Sequence, residues 1–173
     1  MPAPVTLLVF RIVHVVIGVF WVGAVVFIAA FLMPSVRAAG PAGGAVMQRL
    51  IQARLSLWLM GAALLTIISG FGLYWHDSAG FQSAWLGSGP GRVFGLGGVF
   101  ALAAVVVGMT VNSPAARRLG EVSGRVQASG RPPAPDDLAA IQALQGRLAR
   151  GTIWAAVLLG LATLAMAVAR YVP

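Results

Sequence analysis

Four long apolar runs restrict this chain to very few folds. They cover about residues 5–33, 55–75, 93–111 and 152–168, and each approaches the roughly 20 residues that a helix needs to cross a bilayer. Inside hydrocarbon, every backbone N–H and C=O group must be paired within the protein, so apolar runs of this length form helices. The sequence therefore predicts an all-α membrane protein, a four-transmembrane-helix antiparallel up-and-down bundle that forms one domain over residues 1–173.

The composition agrees with lipid as the main solvent and excludes several kinds of chemistry. Hydrophobic residues make up 59% of the chain and charged residues only 9%, whereas soluble domains carry about 25% charged residues. Because there is no cysteine, a disulfide scaffold, a thiolate metal site and a cysteine nucleophile are all excluded. Only four acidic residues are present, which disfavours hydrolytic and carboxylate-metal chemistry.

The net charge of +8 comes from twelve arginines, and their positions predict the topology. In a membrane protein such an excess marks the cytoplasmic connections, so we expect no nucleic-acid partner. Nine arginines fall in the first and third connections: Arg37, Arg49, Arg54, Arg117, Arg118, Arg125, Arg131, Arg147 and Arg150. Both termini are therefore expected outside (N-out/C-out). The first run has no basic segment before it and exceeds the 7–15 apolar residues of a signal peptide, so we interpret it as a retained helix.

The third connection, a basic loop over about residues 112–151, is the one part that we expect to be soluble. Three prolines between residues 129 and 135 exclude a helix there. Asp136 has the position of an N-cap, and apolar residues at helical spacing follow it. We expect this amphipathic segment to continue into the fourth span as one long helix, and a stem packed on its neighbours is favoured over a docking helix.

Small residues recur at helical spacing in every run, which allows close approach of helices where lipid offers no hydrophobic driving force. The predicted contact stripes are Gly18 and Gly23; Ala62, Thr66 and Gly70; Gly91, Gly95, Gly98 and Gly108; and Ala156, Gly160, Thr163 and Ala167. One of these stripes is also a candidate contact surface for a partner subunit or a flat cofactor.

His14 is the most informative residue for function. It lies in an otherwise apolar run, one turn after Arg11 and one turn before Gly18. Ionisable residues within membranes are costly and face the interior of a bundle, so a ligand role is the default hypothesis. The alternative, a hydrogen-bonded histidine in the core, stays open.

His76 follows the second run and is predicted on the same outer side as His14. If the hydrocarbon begins near Ile12, His14 lies only about 4–5 Å below that boundary at about 1.5 Å per residue. The two imidazoles are then close enough in depth to bind one metal ion, or a haem iron from its two faces. An interfacial polar residue is an equally good interpretation of His76.

Further groups suit a haem in the outer half of the bundle. Arg11, Arg92 and Arg170 lie near the outer ends of three spans and would pair with propionates, although arginines at span ends also commonly extend to lipid headgroups. Gly18 would leave room for the macrocycle. Met166 is a candidate second axial ligand, but methionines in bundles more often serve only in packing.

The first run, from Arg11-Ile-Val-His14 through Trp21-Val-Gly23 to Met33-Pro34, resembles the opening of small bacterial four-span membrane proteins. That group includes the copper-resistance D-type membrane domains, related uncharacterised integral membrane families and the haem-associated protein of the alternative protoporphyrinogen oxidase type. Ser69-Gly70, Gly91-Arg92 and the segment from Met166 to Tyr171 are similar to later parts of these families. The resemblance implies a bacterial inner-membrane location and a histidine early in the first helix that binds haem or metal, to which only His14 corresponds.

These observations predict a protein that holds one b-type haem near its periplasmic side and transfers electrons to or from a quinone or a redox partner protein. Such a protein would be a component of a membrane oxidoreductase, with catalysis on a small substrate left open. Two alternatives remain. The chain is a non-enzymatic accessory or assembly subunit of a larger membrane complex, or it handles copper through His14 and His76. Its partners would include a larger membrane complex or further copies of the same chain.

Overall fold

Four helices long and apolar enough to cross a membrane form the protein, as expected from the apolar runs. The computed structural model describes residues 4–173, which contain helices, turns and no strand. Span 1 covers Pro4–Ala38, span 2 Leu55–Asp77, span 3 Gly89–Ser129 and span 4 Pro135–Tyr171. Two short helices, Pro41–Gln52 and Ser83–Leu86, lie in the first and second connections. The predicted all-α class and the multi-pass membrane character are confirmed.

Spans 1 and 3 continue beyond the points where their apolar runs end. The run in span 1 ends at Pro34, but the helix continues to Ala38. In both spans a π-helical turn precedes a proline: Ile28–Leu32 before Pro34, and Gly108–Asn112 before Pro114. A proline inside an α-helix collides with the carbonyl four residues earlier. The wider π turn moves that carbonyl away from the ring, so each helix passes its proline.

The third connection is far more helical than a loop. Span 3 reaches Ser129 and span 4 begins at Pro135, which leaves residues 130–134 between them. The single long helix predicted for the stem and the fourth span is therefore confirmed. The N-cap prediction at Asp136 is wrong: Ala134 is the N-cap, because Pro135 has the fixed φ that suits the first helical position.

The spans pack as two antiparallel pairs, span 1 with span 2 and span 3 with span 4. In the first pair Gly18 approaches Thr66, and Gly70 approaches His14. In the second pair Gly97 of span 3 approaches Met166 of span 4. Gly89, the first residue of span 3, approaches Pro173 at the C-terminus. A core cluster joins the two pairs, with Trp21 and Val25 of the first pair and Leu159 of the second among its buried residues.

The packing confirms part of the predicted small-residue stripes. Ala62 and Thr66 are buried, Gly91 is buried and Gly95 lies against the Tyr74 hydroxyl. The span 4 stripe is correct only at Ala156, which packs against the core, and is wrong beyond it: Gly160, Thr163 and Ala167 are exposed. The buried face of span 4 instead contains Ala155, Leu159, Ala162, Ala165 and Ala169.

Three predicted glycines also lie outside the contacts. A Cβ at Gly23, Gly98 or Gly108 would meet no atom within 4 Å. Small residues occur on several faces of these helices, so their spacing alone cannot determine which face is buried.

We name the two ends of the bundle by their residues. The histidine end contains His14, His76 and the second connection, residues 78–88. The basic end contains the first connection, residues 39–54, and the parts of spans 3 and 4 near the third connection. Span 3 has 41 residues, about 60 Å at 1.5 Å per residue, so it extends well beyond a hydrocarbon core of about 30 Å.

Candidate functional site

His14 lies on the face of span 1 that packs against span 2, and it is partly buried. Its Nδ1 atom is 2.9 Å from the carbonyl oxygen of Thr66. A carbonyl oxygen only accepts hydrogen bonds, so Nδ1 carries the proton and donates it. In the neutral ring, the lone pair that can bind a metal ion is therefore on Nε2. Histidines that bind metals usually have this arrangement, with the other ring nitrogen donating to a carbonyl or carboxylate.

Gly70 gives the imidazole the space that it occupies. A Cβ at Gly70 would lie 2.6 Å from Cε1 and 2.9 Å from Nδ1 of His14, closer than such atoms can approach. One turn deeper, Gly18 lies 3.4 Å from the Thr66 methyl group by the same measure. The ring thus lies between span 1 and Gly70 of span 2. Gly18 contributes to the same close contact between the two helices.

The polar side chains of span 2 near His14 bond within their own helix. The Thr66 hydroxyl donates to the carbonyl of Ala62 at 2.8 Å, and the Ser69 hydroxyl donates to the carbonyl of Leu65 at 2.6 Å. Ser69 also lies 3.2 Å from the Thr66 carbonyl that accepts the His14 bond. These hydroxyls therefore do not compete for Nε2 of His14, and they help fix the carbonyl that orients the ring.

His76 is in a different setting. It lies in the last turn of span 2, and its Nδ1 is 3.3 Å from a carboxylate oxygen of Asp77, with the side chains 35% and 38% exposed. Since His76 comes six residues after Gly70, it lies about 9 Å further along the helix axis at 1.5 Å per residue. Gly72, between them, faces the ring of Phe10 instead. The two histidines therefore lie further apart in depth than the sequence predicted.

Met166 belongs to the other helical pair. Its Cε atom lies 3.1 Å from the position of a Cβ at Gly97, so it packs into the contact between spans 3 and 4. His14 contacts span 2. The geometry therefore gives Met166 a packing role and does not bring it to the imidazole.

The three arginines near the histidine end, Arg11, Arg92 and Arg170, are all exposed. Within residues 4–173 the one ion pair is that between His76 and Asp77, so none of these guanidinium groups is paired with a carboxylate. They are free for an anionic group such as a propionate or a lipid phosphate. No group of three histidine, aspartate or glutamate side chains able to hold a metal ion occurs among the described residues.

Sequence reasoning missed a second region of interest, at the basic end. A cavity there is lined by residues from all four spans, among them Asn112. The Oδ1 atom of Asn112 is buried and has no hydrogen-bond partner. The signal was present as an asparagine at the end of an apolar run, two residues before Pro114. The same pattern of an apolar run and a proline occurs at Met33-Pro34.

Comparison of the chain with family models, curated proteins and solved structures finds no match. The resemblance in the first run therefore stays a prediction, and the functional argument depends on the residues themselves.

Proposed function

We propose that this chain is a membrane protein that binds one b-type haem through Nε2 of His14, near the histidine end, and has a redox or electron-transfer role in the membrane. The observation that carries the proposal is the hydrogen bond from Nδ1 to the Thr66 carbonyl, 2.9 Å long. It fixes the tautomer that leaves Nε2 as a ligand.

The side chains at the histidine end suit a haem that is held by one protein ligand and by cations for its propionates. Arg11, one turn from His14, is an unpaired cation for a propionate, and Arg92 and Arg170 are further candidates at the same end. Met166 packs against Gly97 and His76 lies beside Asp77, so His14 is the residue that would hold the haem iron. When bound, the haem would supply a one-electron redox centre, while His14 holds the iron and span 2 holds His14.

The arrangement of arginines supports an orientation with both termini outside and the basic end in the cytoplasm. The histidine end is then periplasmic in a bacterial inner membrane, and the haem lies close to that surface. A quinone in the bilayer or a redox protein is the partner class that suits such a position.

Absorption spectra test the haem proposal. We expect protein purified in mild detergent after expression with added haem precursor to contain about one haem per chain and to show a Soret band and an α band when reduced with dithionite. His14→Ala should lose the haem, whereas His76→Ala and Met166→Leu should retain it. The proposal is wrong if His14→Ala retains the full haem content.

A second variant separates loss of the ligand from loss of the fold. His14→Gly should lose haem and recover it with added imidazole, because the free base can occupy the space of the missing ring. Helical circular dichroism and size-exclusion elution provide the control for folding. Metal analysis of the same samples tests copper at His14, and a colourless, metal-free preparation would exclude both cofactors.

A second candidate function, a subunit of a larger complex or a homo-oligomer, is favoured by span 1. Its α-helical part, Pro4–Phe27, buries only Trp21 and Val25, so most of its surface is available to a partner helix. The mass of the protein extracted from native membranes, measured by light scattering with correction for detergent, tests this candidate. A particle with the mass of a single chain would count against it.

A further inference from the structure

A cavity of about 130 Å³ lies in the half of the bundle nearest the basic end, between the two helical pairs. Its wall is mainly apolar and includes Met33, Met47 and Met60, three of the six methionines of the chain. Methionine side chains are flexible and adapt to the shape of a ligand. Enclosed apolar cavities of about 150 Å³ bind molecules the size of benzene, and this cavity is partly open, so it suits a single ring whose substituents extend into the opening.

Both π-helical turns border this cavity. Ile28 and Leu32 line it from span 1, and Gly108 and Asn112 line it from span 3. Single π turns within α-helices occur frequently at functional sites. The two turns thus face one cavity from two different helical pairs.

Asn112 places a polar group in this apolar wall. Its Oδ1 atom is fully buried without a hydrogen-bond partner, and it is pressed against Gly151, where a Cβ would collide with it. The hydrogens on the Gly151 Cα favour an oxygen at that position over an N–H group. Asn112 also lines the cavity, and with Oδ1 against Gly151 its amide nitrogen is the hydrogen-bond donor that is left for a ligand. Ser56 and Ser113 also line the cavity.

We propose that this cavity binds an apolar, single-ring molecule that carries a carbonyl oxygen, with the Asn112 amide nitrogen as the donor to that oxygen. The head group of a membrane quinone has this chemistry. An ester carbonyl of a phospholipid offers the same acceptor. The proposal depends on the cavity and on Asn112, and it uses neither His14 nor a haem.

Duroquinone and durene test the proposal as a matched pair, since they share the ring and the methyl groups and only duroquinone has carbonyls. We expect equilibrium dialysis against the full-length protein in detergent to show saturable binding of duroquinone at one site, and binding of durene at least tenfold weaker. The His14→Ala protein should bind duroquinone like the wild type, which separates this result from the fate of the haem proposal.

Two substitutions test the location of the site. Asn112→Leu removes the donor, and Gly108→Leu fills space in the wall where a Cβ would meet no atom within 4 Å. Each should weaken duroquinone binding at least tenfold. Gly160→Leu is the matched control, because Gly160 is equally unobstructed but is not among the residues that line the cavity, and its binding should equal that of the wild type.

Nanodiscs distinguish the two sources of the carbonyl. If duroquinone binding persists in discs of ester-linked phosphatidylcholine, the site selects the quinone ring. If it is lost there but returns in discs of the ether-linked lipid, the site takes the phospholipid ester and the single-ring ligand is overturned. The proposal is overturned if wild-type protein binds duroquinone no better than durene, or if Asn112→Leu and Gly108→Leu both bind duroquinone like the wild type.

Discussion

At the scale of single residues, the candidate site depends on one backbone carbonyl and one missing side chain. The carbonyl of Thr66 orients His14, and the absence of a Cβ at Gly70 allows the imidazole to lie against span 2. His14 could be selected from sequence, because a histidine inside an apolar run is rare and costly. The identity of its partner could not be predicted, since every residue of span 2 has a carbonyl.

Gly70→Ala should destabilise the protein by displacing the His14 ring. The added Cβ would lie 2.6 Å from Cε1 of His14, and overpacking of this kind costs about 1–3 kcal/mol. Unfolding by sodium dodecyl sulfate in mixed micelles measures the change in the free energy of unfolding.

Gly61→Ala is the control in the same helix, because a Cβ there meets no atom within 4 Å. Alanine has the higher helix propensity, so this variant should be at least as stable as the wild type. Equal stabilities for the two variants would show that His14 does not depend on Gly70.

At the scale of helices, prolines and glycines determine where the spans deviate and how closely they approach. Pro34 and Pro114 each follow a π turn, and the helix continues beyond both. The predicted apolar runs end at residues 33 and 111, shortly before these prolines, and a proline inside an α-helix is usually disruptive. A π turn removes that conflict, and it depends on the hydrogen-bond register of the folded helix, which a residue pattern does not reveal.

Gly151→Ala should separate spans 3 and 4 at the basic end. The new Cβ would collide with Oδ1 of Asn112 and would lie 2.8 Å from a methyl group of Val111. We expect a loss of about 1–3 kcal/mol in the free energy of unfolding. The measurement is the same detergent titration.

Gly160→Ala tests whether that loss comes from the helix contact. Gly160 is in the same span and is exposed, with nothing within 4 Å of its Cβ position. It should be as stable as the wild type or slightly more stable. If Gly151→Ala were equally harmless, the close contact between Gly151 and Asn112 would be refuted.

At the scale of the whole molecule, most arginines and the two histidines lie at opposite ends of the long axis. Arginines concentrate at the basic end, where the cavity also lies, whereas His14 and His76 lie at the other end. A haem and a carbonyl ligand, if both bind, would therefore occupy different halves of the bilayer. The positive-inside rule predicts which half faces the cytoplasm.

Labelling of introduced cysteines tests that orientation directly, since the chain has no cysteine of its own. Ser83→Cys lies in the second connection and Ser129→Cys at the end of span 3, next to the third connection. In intact spheroplasts a membrane-impermeant maleimide should label the first variant and not the second. After permeabilisation both should react. The reverse pattern before permeabilisation would show that the basic end faces out.

The sequence alone determined the membrane class, the four spans, the long helix that enters the bilayer as span 4 and the choice of His14. Each of these follows from hydrophobicity or polarity, which a residue has wherever it packs. Tertiary structure decided which face of span 4 is buried, which partner orients His14, that Met166 packs on Gly97, and that a cavity forms beside Asn112. These features depend on the rotation and spacing of neighbouring helices. In a chain with small residues on several faces of its helices, only the packed helices fix the rotation and spacing.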